Sequence, residues 1–348
     1  MANRKDVAKL AGVSEATVSR VFNNIGPLRE ETKQKVLQAA EQLGYHPNAL
    51  AQSFARGKSY NIGVIVPYFQ RVNLLTTHYF SELLNGIGSK LGELGYGLLL
   101  LFQSPDAPKD FLQLFRTQRV DGCILLGSKD IPGEVEAIEQ LHHLNLPYCL
   151  VNQTFSGHSF HSIDADHENG SFQAVSSLLR KGYEQIIFLN GPMEFSNSAE
   201  RLKGYETALN NAGIPYNSKL VFQGNYSRKS GHQAAAEIAP LLPDINAIFA
   251  ANDRMAIGLM QGLSEQGYQA GRDYALIGYD DSEISIMTNP PLSTVKVPLF
   301  EMGQLAAEKV LQFISQDIKE EINERLPVTF IERASSQLKP TYTQQSKL

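Results

Sequence analysis

Apolar positions in the first sixty residues recur at helical spacing. Val7, Ala8, Leu10 and Ala11 form one stripe, and Ala16 or Thr17, Val18, Val21 and Phe22 form a second. Gly12 falls between them, where a tight turn needs a residue tolerant of positive φ. Ser14 is placed to cap the second helix. A third stripe, Val36, Leu37, Ala40 and Leu43, predicts a helix over 30–43 that Gly44 and Pro47 end. A short helix is predicted at 48–60, too short to be stable alone.

From Ile62 the helical period gives way to short continuous apolar runs. The first set is IGVIVP (62–67), GLLLLF (97–102), GCILLG (122–127) and LPYCLV (146–151). The second is QIIFLNG (185–191), KLVFQG (219–224), AIFAAND (247–253) and YALIGYDD (274–281), and LPVTFIER (326–333) closes the series as one strand. Helix-patterned segments such as 79–95 and 198–212 lie between them. Strands buried on both faces and alternating with helices mean parallel sheets. Two sets imply an α/β body of two doubly wound parallel-sheet lobes behind a small all-α head.

Charge sharpens this division. The 348-residue chain carries a formal charge of −5, yet residues 1–60 hold nine Lys/Arg against five Asp/Glu, a net +4 beside −9 in the remainder. A small basic end on an acidic body points to nucleic acid at that end. Two short helices with a Gly-containing turn are a helix-turn-helix, whose second helix enters the major groove. Glu15, Ala16 and Arg20 are then the base-reading set. Arg20 suits guanine O6 and N7, Glu15 a cytosine amino group, and Ala16 a thymine methyl. Ser14, Thr17, Ser19, Asn23 and Arg29 are assigned to the DNA backbone.

Three segments in order, KDVAKLAGVSEATVSRVFN, ETKQKVLQAAEQLGYHPNALAQS and GKSYNIGVIVP, closely resemble the lactose/galactose-repressor family of bacterial transcription regulators, and the likeness extends to LPVTFIERASS. The resemblance implies a head at 1–47, a hinge helix and linker at 48–60, and a body of type I periplasmic-binding-protein fold at 61–336. It places one lobe at about 61–162 and 293–320, the other at about 163–292 and 321–336, and a polar tail at 337–348 without leucine heptads. It also implies a homodimer on a near-palindromic operator, with Ala51 and Phe54 of the hinge in the minor groove. Phe54 stands where the family usually places a wedging leucine; its alternative is packing against the body or the partner hinge. Arg29 stands where the family usually has a capping serine, so either the cap shifts or Arg29 contacts phosphate.

Ligands in such folds bind beyond the carboxyl ends of strands. Tyr68, Phe80, Asn152, Gln153, Phe195, Arg201, Tyr226, Asn252 and Asp280 lie there, a mixture of aromatic faces, amides and charges that suits a sugar-like effector. The resemblance assigns Phe80, Asn152, Arg201, Tyr226, Asn252 and Asp280 to an effector pocket. Competing readings are helix capping for Asn252 and Asp280, an internal ion pair for Arg201, and plain core for Phe80 and Tyr226.

No GxxxxGK[ST], HExxH or GxSxG occurs, so neither an enzyme nor a cofactor is expected. HSFHSIDADHE (158–168) reads as scattered loop residues rather than a metal site. Cys123 and Cys149 read as buried thiols. The start lacks the apolar core of a secretory signal and no membrane span is expected, which together place the protein in the cytoplasm. The expectation is a repressor under effector control. The alternatives are a purine, nucleoside or co-repressor ligand, a solute-binding protein, or a cleft enzyme.

Overall fold

The computed structural model describes residues 2–23, 25–46, 57–68, 74–104, 107–316 and 321–337. The head consists of α1 (Arg4–Ala11), α2 (Glu15–Asn23) and α3 (Glu30–Gln42). Asn3 starts α1 with a capping box: its side chain accepts from the amides of Lys5 and Asp6, and the Asp6 carboxylate accepts from the Asn3 amide at 2.9 Å. Gly12 ends α1 at φ 68°, and Ser14 Oγ accepts from the Thr17 amide at 3.1 Å to start α2. Val7, Val18, Val21, Val36, Ala39 and Ala40 form the head's core. Leu10 and Leu37, expected inward, are 51% and 43% exposed. Three short helices have too little interior for every apolar residue, and Ala39 takes the inward position beside Ala40.

In the body, β1 (Asn61–Pro67), α4 (His78–Glu93), β2 (Gly97–Gln103), α5 (Leu112–Arg116), β3 (Gly122–Leu126), α6 (Pro132–His143), β4 (Tyr148–Val151) and β5 (Ser162–Ala165) build the first lobe. The chain then crosses over. The second lobe holds α7 (His167–Arg180), β6 (Ile187–Asn190), α8 (Ser196–Asn211), β7 (Val221–Gln223), α9 (Arg228–Ile238), β8 (Ala247–Ala250), α10 (Asp253–Ser264), β9 (Ala275–Ile277), α11 (Glu283–Met287) and β10 (Thr294–Lys296). Next, α12 (Leu299–Ile314) and β11 (Asn323–Leu326) return to the first lobe, and β12 (Thr329–Ile331) ends in the second.

The first sheet runs β11-β5-β4-β3-β1-β2 and the second β7-β6-β8-β9, all pairs parallel, with β10 and β12 antiparallel to each other. Every residue of β3, β4, β6 and β8 is buried. That matches strands covered by helices on both faces.

The crossovers depart from the expected boundaries. LPVTFIER is two strands broken at Pro327: β11 pairs with β5 in the first sheet and β12 with β10 in the second lobe. Residues 321–326 therefore belong to the first lobe. The start of the stretch from 293 also differs, because Ser293 bridges Ile277 and Lys296 bridges Asp280 in the second lobe, and the chain enters the first lobe only with α12. Proline lacks the amide a ladder needs, so the run cannot continue in one sheet.

The helix pairs touch backbone to backbone. A Cβ on Gly258 of α10 would lie 1.9 Å from the Arg228 carbonyl oxygen, and one on Gly231 of α9 would lie 2.1 Å from that of Met255. Both cysteines are free and buried, and burial pushes their thiols up. Gly258→Ala should force α9 and α10 apart and cost about 1–3 kcal/mol. Chemical denaturation checks this, and an unchanged midpoint counts against close packing as the reason for the glycine.

Candidate DNA-reading face and effector cleft

Glu15, Ala16 and Arg20 all lie on the exposed side of α2. Two of the three are engaged within the head. Arg4 Nε pairs with Glu15 at 3.3 Å, and Arg20 Nε donates to the Ile25 carbonyl at 3.3 Å. The Arg20 guanidinium also lies over Gly26, where a Cβ would come within 2.8 Å of it. These contacts are exposed and therefore weak. Ser14 and Thr17 share a hydroxyl contact of 2.9 Å beside the start of α2. Asn23 is turned inward, its amide donating to Ser19 Oγ at 3.2 Å, so its side chain does not present itself to a phosphate.

Arg29 settles one alternative: it is the N-cap of α3, with no side-chain cap bond, so the cap has not shifted. Glu30 and Glu31 in the first turn supply the negative charge the helix start favours. Ala51 and Phe54 lie outside the described residues.

The body site gathers where the carboxyl ends of the two sheets face each other, around Arg201. This guanidinium is 3% exposed. Its Nη1 donates to the Ala251 carbonyl at 2.8 Å and reaches the Tyr226 hydroxyl at 3.5 Å. Nη2 lies 3.4 Å from His167 Nδ1 and 3.8 Å from Asp280, and the guanidinium stacks 4.0 Å over the Tyr279 ring. Its Nε is buried without a partner. Arg201 is thus an internal pair that keeps one buried donor, Nε, unpartnered.

His167 joins this group to Asn152 of the first lobe. Its Nε2 is 2.6 Å from Asn152 Oδ1, an acceptor, so Nε2 carries the hydrogen. Nδ1 then accepts from Tyr279 at 3.2 Å and from Arg201. Burial first, and then Arg201, hold this imidazole well below its ordinary pKa and therefore neutral. Tyr79 enters from α4. Its hydroxyl is bonded to the Asn152 side chain and feels Asp164, Asp280 and Arg201, and burial pushes the phenol up.

The remaining expected residues divide. Tyr226 belongs to the cleft: its hydroxyl contacts Ser198 Oγ at 2.5 Å and donates to Asn197 Oδ1 at 2.7 Å. Phe80 is half-buried, edge-on to Tyr79 at 4.9 Å. A cavity of about 90 Å³ beside it is lined by Pro67, Gly127, Ser128 and the buried Lys109–Glu134 pair, not by Arg201. Tyr68 is 49% exposed, apart from the cluster.

Gln153 is used otherwise. Its Oε1 accepts from the Ser196 amide at 3.0 Å and its Nε2 donates to the Thr154 carbonyl at 2.9 Å, so it stitches the lobes together. Phe195 sits in the same seam, 5.6 Å beneath Lys129 Nζ. Asn252 is a cap: Oδ1 accepts from the Met255 amide at 2.9 Å and Nδ2 donates to the Tyr226 carbonyl at 3.1 Å. Its oxygen thus caps α10 while its amide nitrogen ties that helix to the loop of Tyr226.

Tyr79, His167, Tyr279, Asn197 and Ser198 were missed by sequence reasoning. Tyr279 directly precedes Asp280, and Asn197 and Ser198 follow Phe195, so proximity to named residues was the available signal. The three histidines of HSFHSIDADHE go to separate places. His158 pairs with Glu139, His161 Nδ1 accepts from the Ile322 amide, and only His167 enters the cleft.

A helix-turn-helix head on a two-lobed body with this polar interlobe cluster is the architecture of a DNA-binding transcription regulator. Residues 4–48 match the lacI family of bacterial regulatory proteins, and residues 175–336 match a periplasmic binding protein-like domain. The HTH-type transcriptional regulator AscG of Escherichia coli is 36% identical over 306 residues, 87% of this chain and 89% of the relative. The probable HTH-type transcriptional repressor ExuR of Bacillus subtilis is 34% identical over 91% of this chain and 92% of its own. A lac repressor dimer bound to operator and an anti-inducer superposes with a TM-score of 0.82 at 30% identity, covering 97% of this chain and 99% of that one. The transcriptional regulator CelR in complex with cellobiose superposes with a TM-score of 0.71 at 27% identity, covering 96% of this chain and all (100%) of that one. The chain belongs to the lacI family.

Two expectations follow. Arg20→Ala should weaken binding to a preferred duplex by about 1–3 kcal/mol while leaving random DNA nearly unaffected. Fluorescence anisotropy on both duplexes checks this; an equal loss on both removes Arg20 from base reading. The second concerns pH. Burial pushes Asp280 and Glu200 up to about 7 and Asp253 to about 6. Each acid binds its proton more tightly folded than unfolded, so stability falls as pH rises from its unfolded value to the folded one and then levels off. The melting temperature should decline between about pH 4 and about pH 7, and Asp280→Asn should flatten that decline. An undiminished slope in the variant would show that Asp280 is not a source of it.

Proposed function

We propose that this regulator is a cytoplasmic, homodimeric repressor whose hold on a near-palindromic operator is set by a small carbohydrate effector in the interlobe cleft. The observation that carries this is the Arg201 cluster. A charged donor with an unpartnered buried Nε faces an acid and two tyrosine rings of the second lobe, and His167 joins it to the Asn152 amide of the first. Such a set pairs hydroxyls and stacks on the apolar face of a sugar ring. An effector that contacts Asn152 on one lobe and Arg201 and Asp280 on the other has different affinity for open and closed lobes, which effector control requires. The sugar-bound state of CelR supports the ligand class.

Support for the dimer comes from apolar surface. Edge strand β2 leaves Phe102 51% exposed, and α11 leaves Ile284 59%, Ile286 60% and Met287 78% exposed. An uncovered apolar sheet edge is an invitation to pairing, and a second copy of the chain covers it in this reading.

The deciding experiment is a thermal-shift screen of sugars, sugar phosphates and nucleobases against the whole chain, followed by DNA binding with each hit. A native-state ligand raises the melting temperature. A neutral or phosphorylated sugar should stabilise the wild type, alter its DNA affinity, and do neither with Arg201→Met. Stabilisation by nucleobases alone overturns the carbohydrate assignment. Separately, Met287→Asp combined with Phe102→Asp should shift sedimentation to the monomer; a persisting dimer removes this face from the interface.

A further inference from the structure

The chain enters the body through residues 57–61, and one carboxylate holds that stretch. Asp121 immediately precedes β3. Its Oδ1 accepts from the Ser59 amide at 2.7 Å and the Ser59 hydroxyl at 2.9 Å, and its Oδ2 accepts from the Tyr60 amide at 2.8 Å. Backbone bonds close the grip from both sides, from the Asp121 amide to the Asn61 carbonyl at 2.9 Å and from the Gly97 amide to the Tyr60 carbonyl at 2.8 Å. Three donors converge on this one carboxylate, and hydrogen bonds to a carboxylate are stronger than those between neutral partners.

The held conformation is one the chain does not choose freely. Tyr60 has φ 55°, a left-handed backbone that a bulky residue adopts only when its surroundings impose it. Its ring leans on Tyr96 at 5.6 Å, and Gly97 packs close by, where a Cβ would lie 2.5 Å from Asn61 Oδ1. On another side Gly57 and Lys58 border a hollow of about 620 Å³, so packing alone does not fix the path. The placement is also mechanical. Strands β1 and β3 run from the linker end, at Asn61 and Asp121, to the cleft end, at Pro67 and Gly127. The clamp therefore sits at the opposite end of the same strands from the cleft.

We propose that Asp121 is the positioning residue that makes residues 59–61 a rigid part of the first lobe. It fixes where the DNA-reading head leaves the body, so that movement of the lobe reaches the head instead of being lost in slack chain. The inference rests on the head being the DNA-reading end and not on the identity of the effector. Without the clamp, two heads on one dimer are held at a poorly defined separation. Binding that needs both half-sites at fixed spacing then suffers, while binding through charge alone does not.

The test uses the full-length chain and a duplex selected in vitro by the wild type, compared with an unrelated duplex of equal length, with no effector present. Asp121→Ala should lose at least about ten-fold on the selected duplex and under about two-fold on the unrelated one. Asp121→Asn, which retains one acceptor oxygen, should fall between, and Ser59→Ala should show a smaller loss of the same kind. Unchanged discrimination in Asp121→Ala, or equal loss on both duplexes, overturns the proposal. If Asp121→Ala does not fold, the two milder variants decide, and discrimination equal to wild type in both overturns it. Failure of the carbohydrate screen leaves this ratio untouched, so the two readings fail separately.

Discussion

A guanidinium buried between two lobes constrains everything around it. Arg201 cannot be desolvated without acceptors, because an unpaired buried charge costs several kcal/mol. The structure supplies them from the second lobe, as the Ala251 carbonyl, Asp280, His167 Nδ1 and the Tyr279 face. Through His167 the same network reaches Asn152 of the first lobe. His167 can serve both sides only as a neutral ring with one donor and one acceptor nitrogen, which is the state burial and Arg201 impose. The seam made by Gln153, Thr154 and Ser196, and the Arg325 pair with Glu200, span the same two lobes.

Five of the eight non-glycine residues with positive φ among the described residues lie at the cleft or the linker, the others being Gln118, Asn145 and Gln316. Asn152, Tyr226, Asp280 and Asp281 have φ of 61°, 64°, 105° and 55°, all at carboxyl ends of strands facing the cleft. Tyr60, at 55°, lies at the linker. Strained conformations persist only where the surroundings over-determine them. At both places hydrogen bonds to buried or clamped groups do this, and the parallel sheet between them supplies a stiff connection.

The head, its turn and its caps were legible because they are local. Gly12 at positive φ, Ser14 as cap and the stripe of Val18 and Val21 follow from residues within a few positions of each other. The body strands were legible for a similar reason, since continuous apolar runs have few other homes. The crossover at Pro327 was not, because the apolar run passes through the break without a change in hydrophobicity. At the cleft, the aromatic and charged residues after each strand were visible as a group. Which of them face the cleft was not: Gln153 and Asn252 have the same chemistry as Asn152 and lie in equivalent places.

The sequence by itself determined the basic helical head, the paired sets of buried strands and the membership of Arg201, Tyr226 and Asp280 in a polar end of the fold. Those properties depend on period, composition and order along the chain. Only the tertiary structure decided that His167 and Tyr79 complete the cleft, that Gln153 is a stitch and Asn252 a cap, and that Asp121 grips a linker 61–62 residues away. A polar side chain has several partners it can satisfy, and which one it meets is set by how distant strands are brought into register.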